Sequence, residues 1–475
     1  MKTRKFFMLS ETLRTHGKSM NPFFAVIAAC SITFFAACKK DFNEVKSLAA
    51  TDFSDAGTRS KTNILILLSD DVGYEVPTCD GGTSYSTPNI DMLAQGGKRF
   101  TQCHATPKCT PSRVMLLTGK YNFRNYTDFG ILDTTNKTFA NMFKDAGYAT
   151  CYAGKWQLDG GDIAIRKFGF QRYSVWQPYN INAEDEGNRY KGATIYQDGD
   201  YLPQNVTSNK YSEDEFTAYT LNFIDSVTAI KKPFFAFYSL INCHSPFQPT
   251  PDDPDYATWD TLRNEPKYFP SMVKYHDKKI GETIHHLDSA GLLENTMIFY
   301  FGDNGTNTLI RSQFQGYTVK GGKGNTDEPG TNVPLIVYQR GKIPAQTTSD
   351  ALIDFSDFFP TFQKIAGIRT LSADYGIMDG VSFAPAILSD IDTIRTSIYD
   401  SYSTHPDRHS FIKWAQNYEY KLYDKDAGTQ ANQFIKLGKC MPDGTPIPDS
   451  LMTPEQIQVK RNLQKVLKKY DAQMN

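Results

Sequence analysis

The amino-acid sequence predicts an α/β protein: a large, mostly parallel central sheet flanked by helices, with a small α+β subdomain at its C-terminal end. Three observations carry this reading. Short, continuously apolar runs of strand length recur along the chain. Helical patterns alternate with them, and the pattern changes beyond about Asp390. Strands that are apolar at every position are covered on both faces, which is what helices on both sides of a parallel sheet provide.

The strand candidates are Asn63–Leu68 (NILILL), Tyr148–Gly154 (YATCYAG), Pro233–Leu240 (PFFAFYSL) and Met297–Phe301 (MIFYF). Each is rich in β-branched or aromatic residues. A further strand candidate, Asn332–Gly341, follows the glycine-rich stretch KGGKGNTDEPG. Helical patterns cover Thr138–Gly147, Glu213–Val227, Pro270–Gly291 and Asp354–Ile368, with Gly291 placed as a C-cap. His409–Asp424 alternates like a hairpin, and TPEQIQVKRNLQKVLKKYDAQM reads as a closing basic helix. The organisation expected is a signal region 1–38, a tether 39–60, a catalytic domain 61–390 and a C-terminal subdomain 391–475.

The chain has 475 residues and a formal net charge of -1. No global basic field points to a nucleic-acid partner. The apolar stretch Pro22–Ala37 follows Lys18 and ends in FFAAC. It is short for a membrane span and is closed by small residues. This resembles a bacterial lipoprotein signal, with Cys38 as the lipidated membrane anchor; a plain signal peptide cut nearby is the other reading. Either way the protein is expected to be exported, to the periplasm or cell surface. Asp41–Ser60 is polar and rich in small residues, as a tether would be.

In an oxidising compartment disulfides are permitted. Beyond Cys30 and Cys38 the chain carries Cys79, Cys103, Cys109, Cys151, Cys243 and Cys440. If Cys109 is functional, an odd number remains and at least one more thiol is free. Cys109 stands in KCTPSRVMLLTG, at the mouth of an apolar helical run. It reads as a disulfide half, a core cysteine or the raw material of a nucleophile.

In open α/β sheets, ligands bind outside the carboxyl ends of the strands. Asp70, Asp71, Lys155, His244, Asp303 and Asn304 all follow or end strand candidates, so four strands deliver polar groups to one rim. Adjacent carboxylates repel, and a divalent cation relieves that. Three carboxylates and an amide suit Ca²⁺ or Mg²⁺ better than zinc. The bland alternatives are a solvated acidic turn and a GDNG β-turn. Arg113, Lys155, His244 and Lys323 are candidates to balance and recognise an anion. Alternatively, Lys323 sits in a solvated glycine loop and His244 is structural.

The stretch CTPSRVMLLTG resembles the sulfatase signature, in which Cys-x-Pro-Ser-Arg opens a helix ending near Thr-Gly. NILILLSDDVGY, STPNIDMLAQGGKRFTQCHATPKCTPSR, AGKWQL, CHSPFQP, IFYFGDNG and GGKGNTDEPGTNVPLIV also look like sulfatase segments, in the family's order. The resemblance spans roughly Lys61 to Asp390 and implies an alkaline-phosphatase-like fold. It implies that a maturation enzyme oxidises Cys109 to formylglycine, whose hydrate attacks sulfur and then expels sulfate. It further implies that Asp70, Asp71, Asp303, Asn304 and the modified Cys109 bind Ca²⁺, with Mg²⁺ as the alternative. Arg113 would steady the formylglycine. Lys155, His244 and Lys323 would hold sulfate oxygens, with His244 or Lys323 protonating the leaving group. Such chemistry depends on preorganised charge around the transferring sulfuryl group.

One position departs from the family pattern. Gly-Lys-Trp-His is common there, and this chain has Gln157 in the histidine's place. Glutamine forms hydrogen bonds but takes no proton. Asp159, Asp162 or a water are the candidate substitutes. The expected activity is hydrolysis of a sulfate ester, on a sulfated carbohydrate. The rivals are a phosphate or phosphonate ester hydrolase on the same scaffold, and a catalytically impaired sulfoglycan-binding lipoprotein. Gln177–Asn209 and His405–Phe411 read either as substrate-specific loops or as ordinary surface loops.

Overall fold

The computed structural model describes residues 61–179, 188–403, 411–438 and 443–474. The expected signal region, the tether, the middle of Gln177–Asn209, most of His405–Phe411 and Cys440 lie outside these residues. Among the described residues, no helix is long and apolar enough to cross a membrane.

An 11-stranded sheet organises the chain. The strand Asn63–Ser69 lies between Thr296–Gly302 and Phe234–Ser239 and is parallel to both. Ala149–Lys155 and then Arg172–Trp176 continue the parallel order beyond Phe234–Ser239. The short strands Ile195–Gln197 and Asp200–Tyr201 finish that side by antiparallel pairing. On the other side Asn332–Tyr338 runs antiparallel to Thr296–Gly302, and Lys98–His104 antiparallel to it in turn. Thr347–Ser349 and Ile353–Asp354 close that edge, parallel to Lys98–His104.

The first strand shows why its residues are apolar throughout. Ile64, Ile66 and Leu68 enter one core, with Val114, Phe139, Phe235 and Phe358. Leu65 and Leu67 enter the other, with Phe216, Ile224, Met272 and Ile284. Successive side chains of a strand point to opposite faces, so both faces here are dry. The helices Cys109–Thr118, Phe139–Asp145 and Phe358–Ile365 contribute to the first core. Pro88–Gly96, Ser212–Ala229 and Phe269–Ser289 contribute to the second. Phe143 stacks on Phe235 with ring centroids 4.5 Å apart, a geometry that adds to simple area burial.

Toward the C-terminus, Ile398–Tyr402, Ile412–Gln416, Tyr420–Tyr423 and Phe434–Lys436 form a four-stranded antiparallel sheet. The helix Pro454–Asp471, capped by Thr453, follows it. Tyr399, Ala415, Leu422, Leu463 and Leu467 join the same apolar cluster as Phe355 and Phe358. The small sheet also reaches the glycine-rich stretch: Lys421 Nζ donates to the Thr326 carbonyl at 2.6 Å, and Thr326 and Tyr423 share a hydroxyl hydrogen bond of 2.7 Å.

Candidate active site

The site is built where the central parallel strands end. Asp70 and Asp71 follow Asn63–Ser69, and Asp303 and Asn304 follow Thr296–Gly302. The Asp303 amide donates to the Ser69 carbonyl at 2.9 Å, extending the strand pairing into the site. Asp71 has φ 58°, a left-handed conformation that Asp tolerates better than most residues. Its backbone N–H donates to Asp303 Oδ1 at 3.1 Å. Asn304 Nδ2 donates to Asp71 Oδ1 at 2.9 Å. A side chain at Gly302 would place its Cβ 2.1 Å from the Val72 carbonyl oxygen, so this approach of chains requires glycine.

Cys109 opens the buried helix Cys109–Thr118, whose N-cap is Lys108. Its thiol is in no disulfide. Two residues of its motif fix its place. Ser112 Oγ donates to the Thr106 carbonyl at 2.9 Å and meets Thr106 Oγ1 at 2.8 Å, tying down the approach to the helix. Arg113, one turn in, is buried. Its Nε and Nη2 donate to Asp303 Oδ2 at 3.1 and 2.9 Å, and its Nη1 donates to Ser239 Oγ at 2.6 Å and the Lys155 carbonyl at 3.1 Å. One guanidinium thus joins the cysteine helix to three strand ends. Removing one partner of such a buried pair costs about 3–5 kcal/mol, because the other charge is left uncompensated. The Cys109 sulfur lies within electrostatic reach of Arg113 and Lys323.

The other cations close over the carboxylates. Lys155 Nζ donates to both oxygens of Asp70, at 2.7 and 2.8 Å. Lys323 Nζ donates to Asp71, 2.7 Å from Oδ1 and 2.8 Å from Oδ2. His244 Nε2 stands 3.8 Å from Asp71 Oδ2. Burial pushes the Asp70 carboxyl up, but Lys155, His244, Arg113 and Arg189 outweigh it and hold it well below the usual carboxylate range. Burial and then the neighbouring Asp70 push Asp303 up to about 6, against the pull of Arg113 and Lys155. Burial, reinforced by Arg189 and Lys323, lowers His244 well below an ordinary imidazole.

The residues fit a hard divalent cation. Asp70, Asp71, Asp303 and Asn304 are all fully buried. Asn304 Oδ1 has no hydrogen-bond partner, an acceptor whose desolvation calls for compensation. Carboxylate and amide oxygens are the donors that Ca²⁺ and Mg²⁺ prefer. Ligand atoms of Asp70, Asp71 and His244 also lie within 4.8 Å of one another. The hard oxygens, rather than the lone imidazole, set the character of the group.

Every residue expected at the rim is therefore on it. One further residue was not anticipated singly: Arg189, within the Gln177–Asn209 stretch. Its Nη1 donates to Asp70 Oδ2 at 3.2 Å, and its guanidinium lies 4.1 Å from the centre of the Trp176 ring. No motif marks it; a lone arginine in an irregular stretch carries no directional signal. Gln157 has φ 59°, is buried, and leaves its Oε1 without a partner. Asp162 is held by Arg166 and Tyr173, and among the described residues these hydrogen bonds do not link it to the rim.

The family model described as Sulfatase matches residues 62–368. The chain belongs to the sulfatase family. It is a sulfuric ester hydrolase. N-acetylgalactosamine-6-sulfatase of Canis lupus familiaris is 29% identical over 74% of this chain and 71% of that protein. Among solved structures, Ps i-CgsB in complex with k-i-k-neocarrahexaose aligns at TM-score 0.66 and 24% identity, over 79% of this sulfatase and 86% of that chain. A structure in complex with its substrate D-glucosamine-2-N,6-O-disulfate aligns at TM-score 0.66 and 19% identity, over 88% and 98% of the two chains. These two likenesses are of fold. The sulfatase thus has the alkaline-phosphatase-like architecture expected from its motifs, with a small antiparallel sheet toward the C-terminus.

Proposed function

We propose that this sulfatase hydrolyses a sulfate ester on a sulfated carbohydrate, using formylglycine made from Cys109 and a bound Ca²⁺. One observation carries the reading. Three buried carboxylates and an unpartnered amide oxygen share a sheet edge with four cations, and the Cys109 sulfur is within electrostatic reach of two of them. The names of the relative and of the two bound structures, a hexosamine sulfatase and two saccharide complexes, support a carbohydrate substrate.

Asp70, Asp71, Asp303, Asn304 Oδ1 and the modified residue 109 would hold the cation. Formylglycine supplies a hydrated aldehyde as oxygen nucleophile, and Ca²⁺ supplies charge that polarises the sulfate oxygens. Arg113 orients residue 109 while holding Asp303. Lys155, His244 and Lys323 hold sulfate oxygens; of the two candidate donors, His244 is held below an ordinary imidazole and Lys323 above an ordinary amine, so Lys323 is the one that carries a proton for the departing alcohol. The helix N-terminus at residue 109 favours an anion at the same point. A panel of sulfated mono- and oligosaccharides tests the substrate class. Sulfate release from at least one is expected to exceed that from nitrophenyl sulfate; turnover confined to aryl esters overturns it.

A second reading has its own observation. Gln157 accepts no proton, so a catalytically lapsed sulfoglycan-binding lipoprotein is the competing account. It predicts tight ligand binding and no sulfate release from protein carrying formylglycine. Export and lipidation at Cys38 are part of the proposal and rest on the Pro22–Ala37 stretch and its closing FFAAC. Palmitate labelling of cells, lost in Cys38→Ala, is the expected result; equal labelling of both proteins overturns it.

A further inference from the structure

Arg189 is placed by construction and not by chance. The residue after it, Tyr190, is buried and donates its hydroxyl to the Ile241 carbonyl at 3.0 Å and to the His244 carbonyl. Tyr190 also stacks on Tyr211, whose hydroxyl donates to Asn242 Oδ1 at 2.6 Å. The Arg189 backbone is therefore anchored to the loop that carries His244. Its side chain lies along the Trp176 indole, which is itself buried. A guanidinium stacked on an indole is fixed in plane and keeps its hydrogen-bonding edge free for a partner.

Charge supplies the second argument. Arg113, Lys155, Arg189 and Lys323 are four cations facing the carboxylates of Asp70, Asp71 and Asp303. A divalent cation adds further positive charge, and one sulfate ester removes a single unit. The surplus favours a substrate that brings a second anion. Arg113 spends its guanidinium on Asp303, Ser239 and the Lys155 carbonyl, and each lysine faces one carboxylate through both oxygens. Among the described residues, Arg189 makes one hydrogen bond, through Nη1. Among the described residues its Nε and Nη2 make no hydrogen bond, and Arg presents paired donors in a geometry matched to an oxyanion.

We propose that Arg189 is a specificity-determining residue that receives a second oxyanion of the substrate, a carboxylate or a second sulfate group, close to the sulfate being removed. This rests on the sulfatase reading of the site and narrows its substrate class to carbohydrates carrying at least two negative groups.

The test compares native protein, Arg189→Ala and Arg189→Lys on four probes. They are nitrophenyl sulfate, a monosulfated N-acetylhexosamine with no other charged group, a disulfated glucosamine and a monosulfated uronyl disaccharide. The quantity read is the ratio of kcat/KM for doubly to singly charged probes. Losing a charged hydrogen bond of this kind lowers that ratio about 10- to 100-fold, mainly through KM. Arg189→Lys recovers only part, because it lacks the fork. Which of the two doubly charged probes loses more tells carboxylate from sulfate. Calorimetry with the same probes in a Cys109→Ala background reads binding without turnover, so a failure of formylglycine chemistry is separable from a failure of this proposal. Equal losses on all four probes, or a native protein indifferent to the second charge, overturn it.

Discussion

Asn304 gives its Nδ2 hydrogen to Asp71 Oδ1 at 2.9 Å and keeps its own Oδ1 buried without a partner. That hydrogen bond fixes the amide orientation, so the oxygen is the atom offered to the site. A buried acceptor left alone is costly, and a cation is the partner its surroundings supply. Asp71→Ala is expected to lower Ca²⁺ affinity by more than the roughly 10- to 100-fold that losing a mere outer-shell partner costs. Titration calorimetry on chelator-treated protein measures it. Native protein is also expected to gain thermal stability on adding Ca²⁺, about 2.7 kcal/mol at a hundredfold excess over Kd. Calcium affinity unchanged by Asp71→Ala would refute the assignment.

Cys109 is buried and in no disulfide, at the first position of a helix whose approach is pinned by Ser112 and Thr106. Packing alone does not explain a thiol at the mouth of this helix, within electrostatic reach of Arg113 and Lys323. Conversion to formylglycine lowers the mass of the peptide containing residue 109 by about 18 Da. Mass spectrometry of protein from its native host is expected to find that shift, and protein made without a maturation enzyme to keep the thiol and release no sulfate. An unmodified Cys109 in active native protein is the outcome that removes formylglycine from the mechanism.

Glu213 controls the His244 loop from behind. Its Oε2 accepts from the backbone N–H groups of Ile241 and Asn242 at 3.0 and 2.8 Å, and its Oε1 accepts from the Tyr238 hydroxyl at 2.6 Å. Burial pushes its carboxyl up to about 7 from an ordinary 4.5, although these hydrogen bonds pull it down. The folded state therefore holds a proton that the unfolded state has released between those values. This contribution to stability is fully present below pH 4.5 and is lost as pH rises through about 7. The shift corresponds to roughly 3 kcal/mol. Glu213→Gln keeps an acceptor for the two N–H groups and removes the titration. Its unfolding free energy is expected to vary less between pH 4.5 and 7 than that of native protein, by denaturant titration at each pH. Parallel pH profiles for the two proteins would show that Glu213 does not titrate there.

The rim of the sheet was legible because its residues sit directly after apolar runs. Asp70, Lys155, His244 and Asp303 each occupy a strand end or the turn beyond it, and strand ends are visible in sequence. Strand direction was not visible. Asn332–Tyr338 is as apolar as its parallel neighbours, yet it runs antiparallel, because burial on both faces erases the difference. The short strands Arg172–Trp176 and Ile195–Gln197 were missed, since a few mixed polar and aromatic residues make no continuous apolar run. Arg189 depended on that miss: its place follows from Trp176, whose strand had not been recognised.

Gln157 stands where the resemblance to sulfatases leads one to expect histidine, and its backbone makes that difference testable. Its φ of 59° is left-handed, a conformation in which His is several-fold enriched over most residues. Histidine therefore enters without new backbone strain, and a side chain here is buried with its acceptor unpartnered. If proton transfer limits sulfate release, a basic nitrogen at this position relieves it. Proton-transfer catalysis contributes about 10²–10⁴-fold, so Gln157→His is expected to raise kcat at least tenfold with little change in KM. The gain should follow a single ionisation in the kcat–pH profile that the native protein lacks. A variant that folds, carries formylglycine and turns over no faster would mean that water or another group already performs this step, and that Gln157 serves by hydrogen bonding alone.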